Sequence, residues 1–181
     1  MAAPLLSVDE IMAILPASVP RLTVLTNGLS EAQLRTFPEP GEWSANDLLA
    51  HIRASQDVLG RNITRIVTEE RPAWRRLSPR EWQRKSGYNG SDFAPAFEAF
   101  ATGREELLSV LEAMRPADWE RVAVVTVAPG RTVEQPARFF GDWLAGHERE
   151  HLQQMEGAIR AVLDAEARSG PRGVTRTEDG A

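Results

Sequence analysis

At 181 residues, with 42% hydrophobic content and a net charge of −5, the chain has the size and apolar share of one globular domain. It contains no cysteine, which excludes disulfides, thiolate metal ligands and a cysteine nucleophile, and any thiol chemistry would need an external thiol. The arginines are scattered among acids, so the basic footprint that phosphate contacts require is missing and nucleic acid is not an expected partner.

The opening stretch MAAPLLSVDEIMAIL lacks the positively charged start of a signal peptide. No apolar run reaches the roughly 18 residues of a membrane span, so a cytoplasmic protein without a membrane partner is expected. The first helical pattern runs from about Ser7 to Asn27, with Ser7 and Asp9 as candidate caps. Pro16 and Pro20 each disturb a helix interior, which predicts a short helix and a second start near Leu15. NGLSEAQL then reads as a stop at Asn27-Gly28 and a short capped turn from Ser30. A second long helix opens after PEPGEW, with Ser44 at the N-cap and Asp47 three residues on, a capping box with Asp in place of Glu. Leu48, Leu49, Ile52, Val58, Leu59, Ile63 and Ile66 recur at helical spacing and carry it to about Thr68. A third helix starts at Ser91-Asp92 and ends near Met114.

RVAVVTVAPG, residues 121–130, has strand chemistry but no obvious partner and reads as an extended connector. The fourth helix is expected from around Thr132 to about Ala165, with Pro136 tolerated in its first turn. The tail SGPRGVTRTEDGA is polar and Gly-rich, so residues 1–165 form the predicted domain and 166–181 a flexible tail. Four such helices make an all-α four-helix bundle. The connections at 69–91 and 115–131 are longer than antiparallel hairpins need, which points to at least one crossover.

Two of the three histidines, His147 and His151, stand four residues apart in GDWLAGHEREHLQQM. On a helix such a pair shares one face, with Cβ atoms roughly 5–6 Å apart, and can point two imidazoles at a common centre. The third, His51, lies beside the apolar face of the second helix, between Leu48 and Ile52. If the second and fourth helices are neighbours, three neutral imidazoles converge. That set leaves coordination positions open and suits zinc, nickel, iron or manganese. The competing reading is three hydrogen-bonded boundary histidines, since HxxxH also arises on ordinary helices.

Candidate pocket residues follow from the same faces. Ser55 and Asn62 lie on the His51 side of the second helix, and Trp143 and Gln154 on the histidine side of the fourth. Gln154, one turn beyond His151, ranks first for touching a ligand, with an amide at the bundle edge as the alternative. Glu148 and Glu150 read as solvated surface charges, Asp47 as a helix cap, and Trp43 and Trp143 as core anchors. Tyr88, in the Gly-rich connector KSGYNGSDF, is placed to cover the site. No proton acceptor stands out.

GEWSANDLLAHI, followed far down the chain by GHEREHLQQ, resembles the DinB/YfiT superfamily of metal-dependent enzymes over about residues 8–160. The matching positions are Trp43, His51, His147, His151 and Gln154. The resemblance implies a four-helix bundle of the DinB/YfiT type whose three histidines bind one divalent metal, commonly nickel or zinc. It also implies a thiol-dependent transferase or isomerase using a low-molecular-weight thiol, as in relatives that use mycothiol, bacillithiol or glutathione. A non-catalytic metal-stabilised bundle acting as a binding or stress-response module is the alternative, and a metal-free bundle a third. The expected partners are a small-molecule substrate and, through an exposed helix face, a second copy in a homodimer.

Overall fold

The structure, a computed structural model, describes residues 5–169. Its long helices are α1 (Val8–Thr26), α3 (Ala45–Thr68), α5 (Phe93–Ala113) and α6 (Ala137–Ser169), with short helices α2 (Glu31–Arg35) and α4 (Pro79–Ser86) between them. Three strands, β1 (Ala73–Arg75), β2 (Val122–Ala128) and β3 (Arg131–Pro136), form one small sheet.

Local capping sets the helix starts. Ser7 and Glu10 cap α1 reciprocally, Ser30 and Gln33 cap α2, and Ser44 and Asp47 cap α3, each satisfying backbone N–H groups of the first turn. The predicted break at Pro16 and Pro20 is absent, and α1 is continuous. Both prolines lie on the exposed side, so their rings meet solvent while Ile11, Leu15 and Leu22 pack inward and hold the helix together. At the far end α6 starts five residues later than expected, because 132–136 belongs to β3. It also continues to Ser169, past the expected end at Ala165, and the rest of the predicted tail lies outside the described residues.

The stretch read as a connector is a true strand. β2 pairs antiparallel with β3 and parallel with β1, so its partner comes partly from a segment some fifty residues upstream (Ala73 beside Val124). This sheet closes one end of an otherwise helical bundle, with Ala123 and Val125 buried against the helices.

Two apolar clusters give the helix directions. One joins Ile11, Leu15, Ile63, Leu111 and Phe140, and the other joins Leu22, Leu48, Phe93, Phe100 and Met155. Hence α1 and α6 point one way, and α3 and α5 the other. The neighbours of α3 are α5 and α6, and those of α1 are also α5 and α6. Because α3 and α5 are parallel neighbours, the chain must travel back along the bundle between them, which is the expected crossover. That crossover carries α4, which packs against α3.

Between the two clusters lies a polar layer with one residue from each long helix: Ser18, Gln56, Arg104 and Glu148. Glu148, expected on the surface, is fully buried. Its carboxylate accepts from the Arg104 guanidinium at 2.8 Å in a two-pronged ion pair. Arg104 also donates to the Leu15 carbonyl at 2.6 Å and to Gln56 Oε1 at 2.8 Å.

Candidate metal centre

α3 and α6 run antiparallel and in contact, which places His51 opposite His147 and His151. One nitrogen from each ring lies within 4.8 Å of the other two. His51 Nε2 and His147 Nε2 are 2.9 Å apart, and the His147 and His151 ring centroids 4.3 Å apart. His51 is buried, while His147 and His151 are partly exposed, so the cluster opens toward solvent on the α6 side.

Two glutamines set the tautomers. Gln83, from α4, accepts at 2.9 Å from His51 Nδ1–H, and its own amide nitrogen donates to Asn89 Oδ1 at 2.9 Å. Gln154 accepts from His151 Nδ1–H at 3.0 Å. Both contacts leave Nε2 of the ring with a free lone pair, as a metal ligand requires. Without an ion, the short His51–His147 contact needs His147 Nε2–H to donate.

Burial, more than charge, holds His147 down to about 4, with the neighbouring His151, His51 and Arg80 adding to the effect. Burial likewise lowers His51, against an opposing push from the Gln83 hydrogen bond. The unfolded chain therefore binds protons that the folded metal-free protein refuses. Stability is expected to be full above the ordinary histidine value of 6.5 and to fall as the pH drops toward 4. Thermal melts of metal-free protein across that window test this, and the His147→Gln variant should show a flatter profile.

α4 is the element that sequence reasoning missed. Its signal was present in LSPREWQRKSG: Ser78 caps the helix, Pro79 opens it, and Gly87 ends it at φ 69°. The helix is pinned to α3 through Asp57, which accepts from Trp82 Nε1 at 3.0 Å and from the Tyr88 hydroxyl at 2.6 Å. Tyr88 thus anchors α4 and stacks under Arg53 instead of covering the histidines. Asp47 serves as the α3 cap.

The predicted pocket residues divide. Gln154 borders a cleft of about 240 Å³ with Trp43, Arg80 and His151. Trp143 borders another, of about 360 Å³, with Leu6 and His147. Ser55 does not reach either, since it is fully buried and its hydroxyl donates to the His51 carbonyl at 2.9 Å. Asn62 is eleven residues beyond His51, about 16 Å along the helix, and also lines neither cleft. Trp43, expected as a core anchor, does contact the core, but its ring also stacks on His151 with centroids 5.8 Å apart and forms a cleft wall. A separate cleft of about 370 Å³ between α3 and α5, lined by Gly60 and Leu107, holds none of the three histidines.

The fold and site together define a helical bundle with a three-histidine candidate metal site. The chain belongs to the DinB superfamily, which it matches over residues 17–155. Solved structures agree on the fold. YfiT from Bacillus subtilis, described as "a probable metal-dependent hydrolase with an unusual four-helix bundle topology", superposes with a TM-score of 0.70 at 16% identity, over 88% of this chain and 91% of its own. TT2238, a four-helix bundle protein, gives 0.57 at 18% identity, over 83% of this chain and 99% of its own. A mutant of the mycothiol-dependent maleylpyruvate isomerase gives 0.62 at 18% identity, over 91% of this chain and 69% of its own. Among curated proteins, none matches the chain in sequence. None of the described helices is long and apolar enough to cross a membrane.

Proposed function

We propose that this protein binds one divalent metal through His51, His147 and His151 and acts on a small molecule with the help of a low-molecular-weight thiol, as a transferase or isomerase. The observation that carries the reading is the convergence of three imidazoles whose ligating nitrogens lie within 4.8 Å of one another. Two of the rings are already oriented by glutamine carbonyls. Adjacent ligands about 2.0–2.1 Å from a shared ion stand roughly as far apart as His51 Nε2 and His147 Nε2 do. Neutral nitrogen donors suit zinc or nickel, with iron or manganese also accommodated.

A bound divalent ion supplies Lewis acidity and lowers the pKa of a coordinated water or thiol toward neutrality. The chain's own residues provide the rest. Gln83 and Gln154 hold ligand rings, Trp43 shields one side of the cluster, and the two clefts admit small molecules. The absence of cysteine fits a thiol that arrives from outside, and the thiol-dependent isomerase with the same fold gives the reading its chemical direction.

Elemental analysis of tagless protein is expected to find about one metal per chain after nickel or zinc treatment, and none in His147→Ala. Calorimetric titration of the loaded protein with a small thiol tests the second half, and heat that is identical with and without metal would refute it. Gln83→Leu keeps the size of the side chain but frees His51 to rotate. It is expected to weaken zinc affinity about 10–100-fold in competition titrations. Unchanged affinity would show that Gln83 does not orient a ligand.

A further inference from the structure

The cleft beside His151 contains a cation, Arg80, that has no acidic partner among the described residues. Arg80 is the second residue of α4. Its guanidinium carbon lies 5.2 Å from the Trp43 ring centroid. The location is electrostatically unfavourable twice over. The first turn of a helix carries the positive end of the backbone dipole and repels a cation. Arg80 also shares its cleft with His151, one of three clustered rings suited to hold a second cation. An arginine in this position is explained by an anion that lies between the two positive centres and offsets both.

The walls describe the rest of that anion. The 240 Å³ cleft is bordered by Gly41, Glu42, Trp43, Arg80, His151 and Gln154. Gly41, Glu42 and Trp43 also border an adjoining cleft of about 400 Å³, which continues over Phe37 and Pro40. Phe37 is 60% exposed, an uncovered phenyl ring at the end of the groove. Two acids border this path, Glu42 in both clefts and Asp47 in the second. Neither pairs with Arg80 among the described residues, and Asp47 is held by the Ser44 hydroxyl and the Asn89 amide.

We propose that the joined clefts are the substrate groove and that the substrate is a small organic anion with an apolar body. Its carboxylate sits between Arg80 and the histidines, and its apolar body lies against Trp43 and Phe37. The inference rests on the metal reading for the charge at the histidines, but Arg80 and the two aromatic walls belong to the chain itself.

The test uses 3-phenylpropionate as probe, with its neutral amide and acetate as comparisons. Binding to the full chain is measured by calorimetry with and without zinc, and zinc content is determined on every sample. Phenylpropionate is expected to bind zinc-loaded protein at least about tenfold more tightly than the amide or acetate. Arg80→Gln should remove the preference over the amide, and Phe37→Ala the preference over acetate, while Glu105→Gln, exposed on α5 away from the groove, leaves both in place. Arg80 and Phe37 are exposed, so these variants should melt like the wild type. No binding, equal binding of acid and amide, or an Arg80→Gln variant that binds like the wild type would overturn the proposal. If the wild type holds no zinc but metal-free protein still prefers the acid through Arg80, the groove stands and the metal reading falls. Zinc held at one per chain without any Arg80 dependence would leave the metal site standing and refute the groove.

Discussion

Replacing Glu148 with alanine is expected to destabilise the protein by about 3–5 kcal/mol, a large part of the roughly 5–15 kcal/mol available to a domain. The reason lies in what remains behind. Arg104 and Glu148 are side-chain partners in the bundle interior, with side-chain exposures of 2% and 0%. Removing the carboxylate leaves a guanidinium out of water with only the Leu15 carbonyl and Gln56 Oε1 as acceptors. Its charge is then uncompensated in a layer flanked by leucines and phenylalanines on both sides. Replacing both partners, Arg104→Leu with Glu148→Leu, should cost less than the alanine variant alone, since no unpaired charge stays buried. Urea unfolding of the two singles and the double measures the coupling directly. A Glu148→Ala protein within about 1 kcal/mol of the wild type would mean that the pair is not what joins the two halves of the core.

His51→Ala and His151→Ala are each expected to reduce zinc affinity roughly a hundredfold or more, because one of three ligands carries a substantial share of the binding energy. The two variants should differ in another respect. His51 is buried against Trp43 and Gln83, so its loss opens a cavity and lowers the melting temperature of metal-free protein. His151 is partly exposed, so its loss should leave that melting temperature nearly unchanged. Competition titration gives the affinities, and circular dichroism confirms that both variants remain helical. Full metal stoichiometry in both would show that the metal binds elsewhere.

Much of this protein is determined locally and can be read from the chain. Ser30 with Gln33 and Ser44 with Asp47 announce helix starts because a cap needs only residues three apart. The extent of α3 and the shared face of His147 and His151 follow from helical periodicity alone. The placement of His51 opposite them required only that two amphipathic helices pack side by side. The resemblance to the DinB superfamily rested on those same residues.

Other features depend on partners distant in sequence. Pro16 and Pro20 argue for a break, yet both lie on the exposed side and the packing of the inner face keeps α1 whole. VAVVTVA looks like a strand without a partner because its neighbours come from β1, before two intervening helices, and from a polar strand mistaken for the first turn of α6. Glu148 sits beside surface residues in the sequence, and only Arg104 on another helix makes its burial tolerable. α4 brings Gln83 and Arg80 to the histidines because α3 and α5 are parallel, which obliges the chain to return past the site. The sequence thus determined the long helices and the three candidate histidines, whose physics is settled within a turn or two of backbone. The tertiary structure decided which charges are buried and what surrounds the site, since solvation and Coulomb energy depend on every neighbour in space.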